Sequence, residues 1–124
     1  MLCLVAVGRW LLIRGKCPGG RYHGRASFRI VGEWPVQNVG IAEANMVALG
    51  AGLAMTGKIP FVSSFSAFVM TKGFEQLRTT VAYPQVNLKV VGTHSGISIG
   101  EDGPSQMSIE DLSLACNLPG FTVL

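Results

Sequence analysis

From residue 34 to the end, short apolar runs of strand length alternate with longer stretches of helical spacing, and this alternation constrains the fold class most. Residues 36–39 read as a short strand ending in Gly40. Residues 42–56 meet no breaker except Gly50 and Gly52. Met46, Val47, Leu49, Leu53 and Met55 make this helix apolar almost all round, which predicts burial on every side. Its glycines and alanines suit close packing on a sheet, at some cost in helix propensity. Gly57 is placed to end the helix, with Pro60 just beyond. Residues 59–64 form a mostly apolar strand. Over 66–82, Phe68, Val69, Phe74, Leu77 and Val81 recur near a 3.6 period, with Lys72, Glu75 and Arg78 mostly opposite. Tyr83-Pro84 closes that helix.

Residues 88–93 give a third strand, followed by a glycine-rich loop. A helix is expected from Ser108 to Cys116, with acids in its first turn, and a fourth strand over 121–124. The order β-α-β-α-β-loop-α-β predicts an α/β fold with a doubly wound, mostly parallel sheet. The last strand runs to the final residue with no helix to cover it, so the sheet is expected to be incomplete.

Charge divides the chain differently. Residues 1–32 hold Arg9, Arg14, Lys16, Arg21, Arg25 and Arg29 and no acid, whereas 33–124 hold four basic and seven acidic side chains. The expected organisation is an atypical basic segment at 1–33 and a domain at 34–124. Nucleic-acid binding would need a basic face on the folded body, and the basic excess lies outside it, so no nucleic-acid partner is expected. The apolar runs at 2–7 and 10–13 fall well short of the ~20 residues of a membrane span, so no membrane is expected either. Cys3, Cys17 and Cys116 are three, far apart, without a C-x-x-C pair, which reads as reduced cytoplasmic thiols. A Cys3–Cys17–His23 metal site matches no common zinc spacing, and no metal ligand is assigned.

Three partial motifs carry weak signals. Gly52-Leu-Ala-Met-Thr-Gly57-Lys58-Ile59 nearly spells a phosphate-binding loop, but Ile59 replaces the hydroxyl residue and a strand, not a helix, follows. Gly50-Ala-Gly52 lies late in a helix and reads as packing. Gly96-Ile97-Ser98-Ile99-Gly100 has the G-x-S-x-G pattern of a nucleophilic serine. However, Glu-Asp-Gly-Pro follows it, and both histidines, His23 and His94, lie upstream.

The stronger signal lies at the strand ends. Asn38-Val-Gly-Ile-Ala-Glu43 places one acid where a strand turns into a helix. Gly92-Thr-His94-Ser-Gly-Ile-Ser-Ile-Gly-Glu-Asp102-Gly-Pro-Ser-Gln106 places polar groups in the loop after another strand. Ligand sites of open α/β sheets form at such ends. Glu43 could equally be an ordinary first-turn acid held by the helix dipole, and His94 a satisfied core histidine.

These segments, with Lys58-Ile-Pro-Phe-Val-Ser-Ser-Phe65-Ser-Ala-Phe68 and Phe74-Glu-Gln-Leu-Arg78 between them, resemble in order the pyrimidine-binding domain of transketolases and their thiamine diphosphate relatives. The resemblance covers about 34–124. It implies that Glu43 is catalytic, sharing a proton with the aminopyrimidine ring of thiamine diphosphate. Phe65 and Phe68 would pack on that ring. The carboxyl must then hold a proton at neutral pH, which requires an apolar pocket, and Ile41, Ala42 and Met46 are suited to line it. His94 and Asp102 match contacts to sugar hydroxyls. Gln106 stands where microbial members often have histidine and animal-type members have glutamine.

The implied reaction is transfer of a two-carbon ketol unit between sugar phosphates. The resemblance also implies a dimer and a separate diphosphate-binding domain or subunit that carries the magnesium, so the isolated chain is expected to bind only the pyrimidine end and to be inactive alone. The alternatives are a non-catalytic remnant or interaction module of the same fold, or a hydrolase using Ser98.

Overall fold

The computed structural model describes residues 3–6, 26–30 and 37–124. Six strands form one sheet: β1 Cys3–Ala6, β2 Ala26–Ile30, β3 Gln37–Gly40, β4 Pro60–Phe65, β5 Lys89–Thr93 and β6 Thr122–Val123. Their spatial order is β3-β2-β4-β5-β1-β6. The strands expected from the sequence are β3, β4, β5 and β6. All four point the same way: β4 pairs parallel with β5, while β2 lies antiparallel to both β3 and β4, and β1 antiparallel to both β5 and β6. The fold is therefore α/β as expected. Two strands from the basic N-terminal stretch, which the sequence pattern does not reveal, are interleaved against the common direction. Cys17 and His23 of the conceivable metal site, and most of the apolar runs before residue 14, lie outside the described residues.

Helix α1 spans Glu43–Met55. It packs on β4 through Met46, Val47, Gly50 and Ala51. A Cβ on Gly50 would lie 2.7 Å from Val62 Cγ1 and 2.8 Å from Leu88 Cδ1, so this glycine lets the helix backbone sit directly on the sheet. Gly52 faces open space and serves no such purpose. The expected all-round burial of α1 is not found. Leu49 is 42% exposed and Met55 60%, because within this chain only one side of the helix meets the sheet.

The helix expected over 66–82 is broken into three pieces. Helix α2 spans Ser66–Lys72, α3 spans Phe74–Gln76, and a π-helical stretch covers Leu77–Ala82. Threonine hydroxyls explain part of the irregularity. Thr71, Thr79 and Thr80 each donate to the carbonyl four residues back, at 2.5, 2.7 and 2.7 Å. Such bonds compete with the helix ladder and bend it. The periodicity itself holds: Val69, Leu77 and Val81 are buried, and Lys72, Glu75 and Arg78 are exposed.

Helix α4 spans Asp111–Cys116 and begins three residues later than the sequence suggests. Ser108 instead bridges back to Gly96, and Asp111 turns into the core. The helices share a layer over the buried strand face of Pro60, Val62 and Ser64 on β4 and Val90 and Gly92 on β5. Among the described residues this is the only helical layer, so the second layer of a doubly wound sheet does not fall among them. A Cβ on Gly92 would lie 2.8 Å from Ser66 Oγ, so the start of α2 rests directly on β5.

Candidate active site

Because β3, β4 and β5 point the same way, the segments leaving their C-terminal ends emerge at one edge of the sheet. Ligand sites of α/β folds form at this edge. Glu43 follows β3, Phe65 ends β4, and His94 follows β5.

Asn38 prepares the first of these turns. Its side-chain oxygen accepts from the Gly40 amide at 2.9 Å, closing a tight turn as the strand ends. Ala42 then starts α1 without any side-chain cap. Glu43, the first residue of the helix, is only 2% exposed. Its carboxyl turns to the sheet, where Oε1 accepts the Ser64 hydroxyl at 3.0 Å. Oε2 makes no hydrogen bond among the described residues. Of the apolar neighbours expected around it, Met46 is fully buried, but Ile41 is 74% exposed and faces solvent. Ile41 lies in the turn before the helix and does not reach the core side.

Phe65 and Phe68 are half-buried, with ring planes 16° apart and centroids 5.8 Å apart. The His94 ring lies 4.5 Å from that of Phe65, tilted by 52°. Lys72 Nζ stands 4.4 Å above the Phe68 ring, a cation–π contact at the rim. His94 has a φ of 55°, a left-handed conformation that is costly for a residue with a side chain. Its Nδ1 lies 3.0 Å from Thr93 Oγ1, and Thr93 Oγ1 donates to the Ser64 carbonyl at 3.3 Å. Ser64 thus meets Glu43 through its hydroxyl and Thr93 through its backbone carbonyl, and Thr93 Oγ1 in turn lies beside His94.

The loop beyond is pinned at its base. Gly96 and Ser108 exchange backbone hydrogen bonds of 2.9 Å each. Asp102 and Gln106 lie on the enclosed segment, in short 3-10 turns at Gly100–Asp102 and Pro104–Gln106. Asp102 is exposed, and Gln106 Oε1 is buried without a hydrogen-bond partner. Among the described residues neither side chain bonds to Glu43, Phe65, Phe68 or His94. The structure therefore gathers four of the six expected site residues and holds the other two on the adjoining loop.

Ser98 does not form a nucleophile elbow. It sits in a turn with its hydroxyl donated to the Ser95 carbonyl at 2.8 Å, and no α-helix follows it directly. Among the described residues, no three His, Cys, Asp or Glu side chains are grouped to hold a metal ion. None of the described helices is long and apolar enough to cross a membrane.

Sequence reasoning missed Ser64, Thr93, Ser66 and Asp111. Asp111 is 4% exposed, and its Oδ2 accepts the Ser66 hydroxyl at 2.7 Å. This bond ties the start of α2 to α4. The available signal was the serines at 63, 64 and 66, which interrupt an otherwise apolar strand and helix start.

The buried acid at one strand end and the aromatic pair at the next thus lie at the C-terminal edge of an α/β sheet, where ligand sites of such folds form. The profile of the family described as transketolase, pyrimidine binding domain, matches residues 20–124, and the chain belongs to that family. The match begins upstream of the boundary expected at residue 34. A putative transketolase C-terminal section from Methanocaldococcus jannaschii is 48% identical over 87 residues, covering 70% of this chain and 28% of that protein. A 6-deoxy-6-sulfo-D-fructose transketolase subunit from a Clostridium species is 48% identical over 86 residues, covering 69% and 27%. Human transketolase is 46% identical over 84 residues, covering 67% and 13%. Among solved structures, a split-gene transketolase described as an inactive beta4 tetramer superposes with a TM-score of 0.56 at 43% identity, covering 66% of this chain and 25% of that one. The chain thus spans between 13% and 28% of the length of these relatives.

Proposed function

We propose that this chain is the pyrimidine-binding part of a thiamine diphosphate-dependent, transketolase-like enzyme that moves a two-carbon ketol unit between sugar phosphates. The observation that carries this reading is the Glu43 carboxyl, buried at the sheet's C-terminal edge with Oε1 engaged by Ser64 and no hydrogen bond to Oε2 among the described residues. An aminopyrimidine offers a ring nitrogen that suits such an oxygen, and the half-buried phenylalanine pair suits a flat ring. The pyrimidine end of the cofactor therefore fits the residues present.

When bound, the cofactor supplies the electron sink for the two-carbon unit. The chain's own residues bind and orient. Glu43 holds a proton at Oε2 and shares it with the ring nitrogen. Phe65 and Phe68 form the wall against the ring. His94 and Asp102 hydrogen-bond sugar hydroxyls of the substrate. Gln106 adds a contact through its amide, whose oxygen has no partner among the described residues.

The diphosphate and its magnesium belong, in this reading, to a separate domain or subunit. The exposed apolar side chains of Ile41, Leu49 and Met55, on and just before α1, are consistent with a surface that such a partner or a second copy covers. The structural neighbour, described as inactive as a beta4 tetramer, agrees with the expectation that one kind of subunit alone does not turn over.

The test mixes the chain with a diphosphate-binding partner and measures magnesium-dependent thiamine diphosphate binding and ketol transfer. Binding and transfer are expected only in the mixture. Glu43→Gln should retain binding within a few-fold and lose transfer by about 100-fold or more, the range for removal of a positioned proton-transfer group. Absence of cofactor binding in every mixture refutes the proposal and favours a non-catalytic module.

A further inference from the structure

We propose that Ser64 is a positioning residue that assigns the two oxygens of Glu43, fixing Oε1 as acceptor and leaving Oε2 to carry the proton toward a heterocyclic nitrogen. This rests on the role proposed for Glu43 and goes beyond it by naming the group that aims the proton.

The buried face of β4 reads Pro60, Val62, Ser64: two apolar side chains, then a hydroxyl that is only 6% exposed. Burying a hydroxyl there is unfavourable unless it is hydrogen-bonded. Among the described residues its only side-chain partner is Glu43, at 3.0 Å. A serine hydroxyl has one proton to donate. If the acid's own proton sat on Oε1 and pointed at Ser64, the buried serine hydroxyl would lose the only side-chain acceptor it has among the described residues, and that arrangement is penalised. With the serine donating to Oε1, the acid's proton is left to Oε2, where the ring nitrogen of a bound heterocycle would accept it.

The scaffold holds this arrangement. Ser64 sits in register opposite Gly92 on β5, and Thr93 Oγ1 donates to the Ser64 carbonyl at 3.3 Å. Glu43 is fixed at the first turn of a helix seated on the same strand. Neither partner can rotate freely away from the other.

The experiment uses the full chain and two small probes in calorimetric titrations. One is 4-amino-5-hydroxymethyl-2-methylpyrimidine. The other is its analogue with C–H in place of the ring nitrogen that would face Glu43. The wild-type chain should prefer the first probe. Ser64→Ala should reduce that preference about tenfold, the effect of losing one oriented hydrogen bond, while affinity for the C–H analogue stays unchanged. Ser64→Thr, which keeps the hydroxyl, should restore the preference.

Two results would overturn the proposal for Ser64 alone: an unchanged preference in Ser64→Ala, or an equal loss of affinity for both probes, which marks a merely structural role. A wild-type chain that binds neither probe, or does not discriminate between them, would overturn the role of Glu43 and this inference with it.

Discussion

The seating of α1 on the sheet governs where Glu43 lies, and two glycines about half a turn apart, on opposite sides of the helix, test it. Each Gly→Ala change in a helix gains roughly 0.5–1 kcal/mol from reduced backbone freedom in the unfolded chain. At Gly52 nothing lies within 4 Å of a new Cβ, so Gly52→Ala should be stabilising by that amount. At Gly50 the same gain meets contacts of 2.7 Å with Val62 and 2.8 Å with Leu88. Both of those side chains are fully buried and have little room to withdraw. Overpacking of this kind costs about 1–3 kcal/mol, so Gly50→Ala should be destabilising by up to ~2 kcal/mol after the propensity gain.

The propensity term cancels between the two variants, and their difference isolates the clash. Urea unfolding of the full chain, followed by far-ultraviolet circular dichroism, should separate their midpoints by about 1 M for a slope near 2 kcal/mol per M. The clash should also lift the helix from β4 and lengthen the Glu43–Ser64 contact. Gly50→Ala should then weaken aminopyrimidine binding, and Gly52→Ala should not. If both variants shift the midpoint upward by the same amount, α1 does not lie on Val62 and Leu88, and the placement of Glu43 over Ser64 falls with it.

Two further outcomes follow from buried polar groups. Asp111→Ala leaves the Ser66 hydroxyl without its acceptor and should cost about 2 kcal/mol. Combined with Ser66→Ala, it should cost less than the sum of the single changes by about 1 kcal/mol, and strict additivity in the unfolding midpoints would refute the contact. Burial holds the Lys89 ammonium below its ordinary value of 10.5. The unfolded chain keeps that proton up to about 10.5 while the folded chain releases it earlier, so between the two values the unfolded state binds more protons and stability rises with pH. Urea midpoints of the wild type relative to Lys89→Met should climb across that window, and a flat difference would refute the assignment.

What the sequence disclosed, and what it did not, follows from the range over which each signal acts. The four same-direction strands and the start of α1 were readable because each depends on a local run of side chains and its punctuation: Asn38 and Gly40 at one strand end, Gly57 and Pro60 at another. Strands β1 and β2 were hidden because sequence pattern alone carries no pairing information: β1 lies against 89–92, and β2 against 60–63 as well as against the nearby β3. The helix starting at Ser66 ends at Gly73, and part of the irregularity around that break comes from threonine hydroxyls bonding carbonyls four residues back, a competition that apolar spacing does not register.

The site divides in the same way. Glu43, Phe65 and His94 were legible because each sits at the end of its own strand. Ser64 and Thr93, which join them, were not, because their roles exist only once β4 and β5 lie side by side. A serine on the inward face of an apolar strand was nevertheless a visible anomaly. A buried hydroxyl needs a partner, and the buried acid 21 positions earlier is the group that most needs a donor. Pairing two such unsatisfied groups predicts a contact without any periodicity, and it is the step by which a list of candidate residues becomes a statement about which oxygen holds the proton.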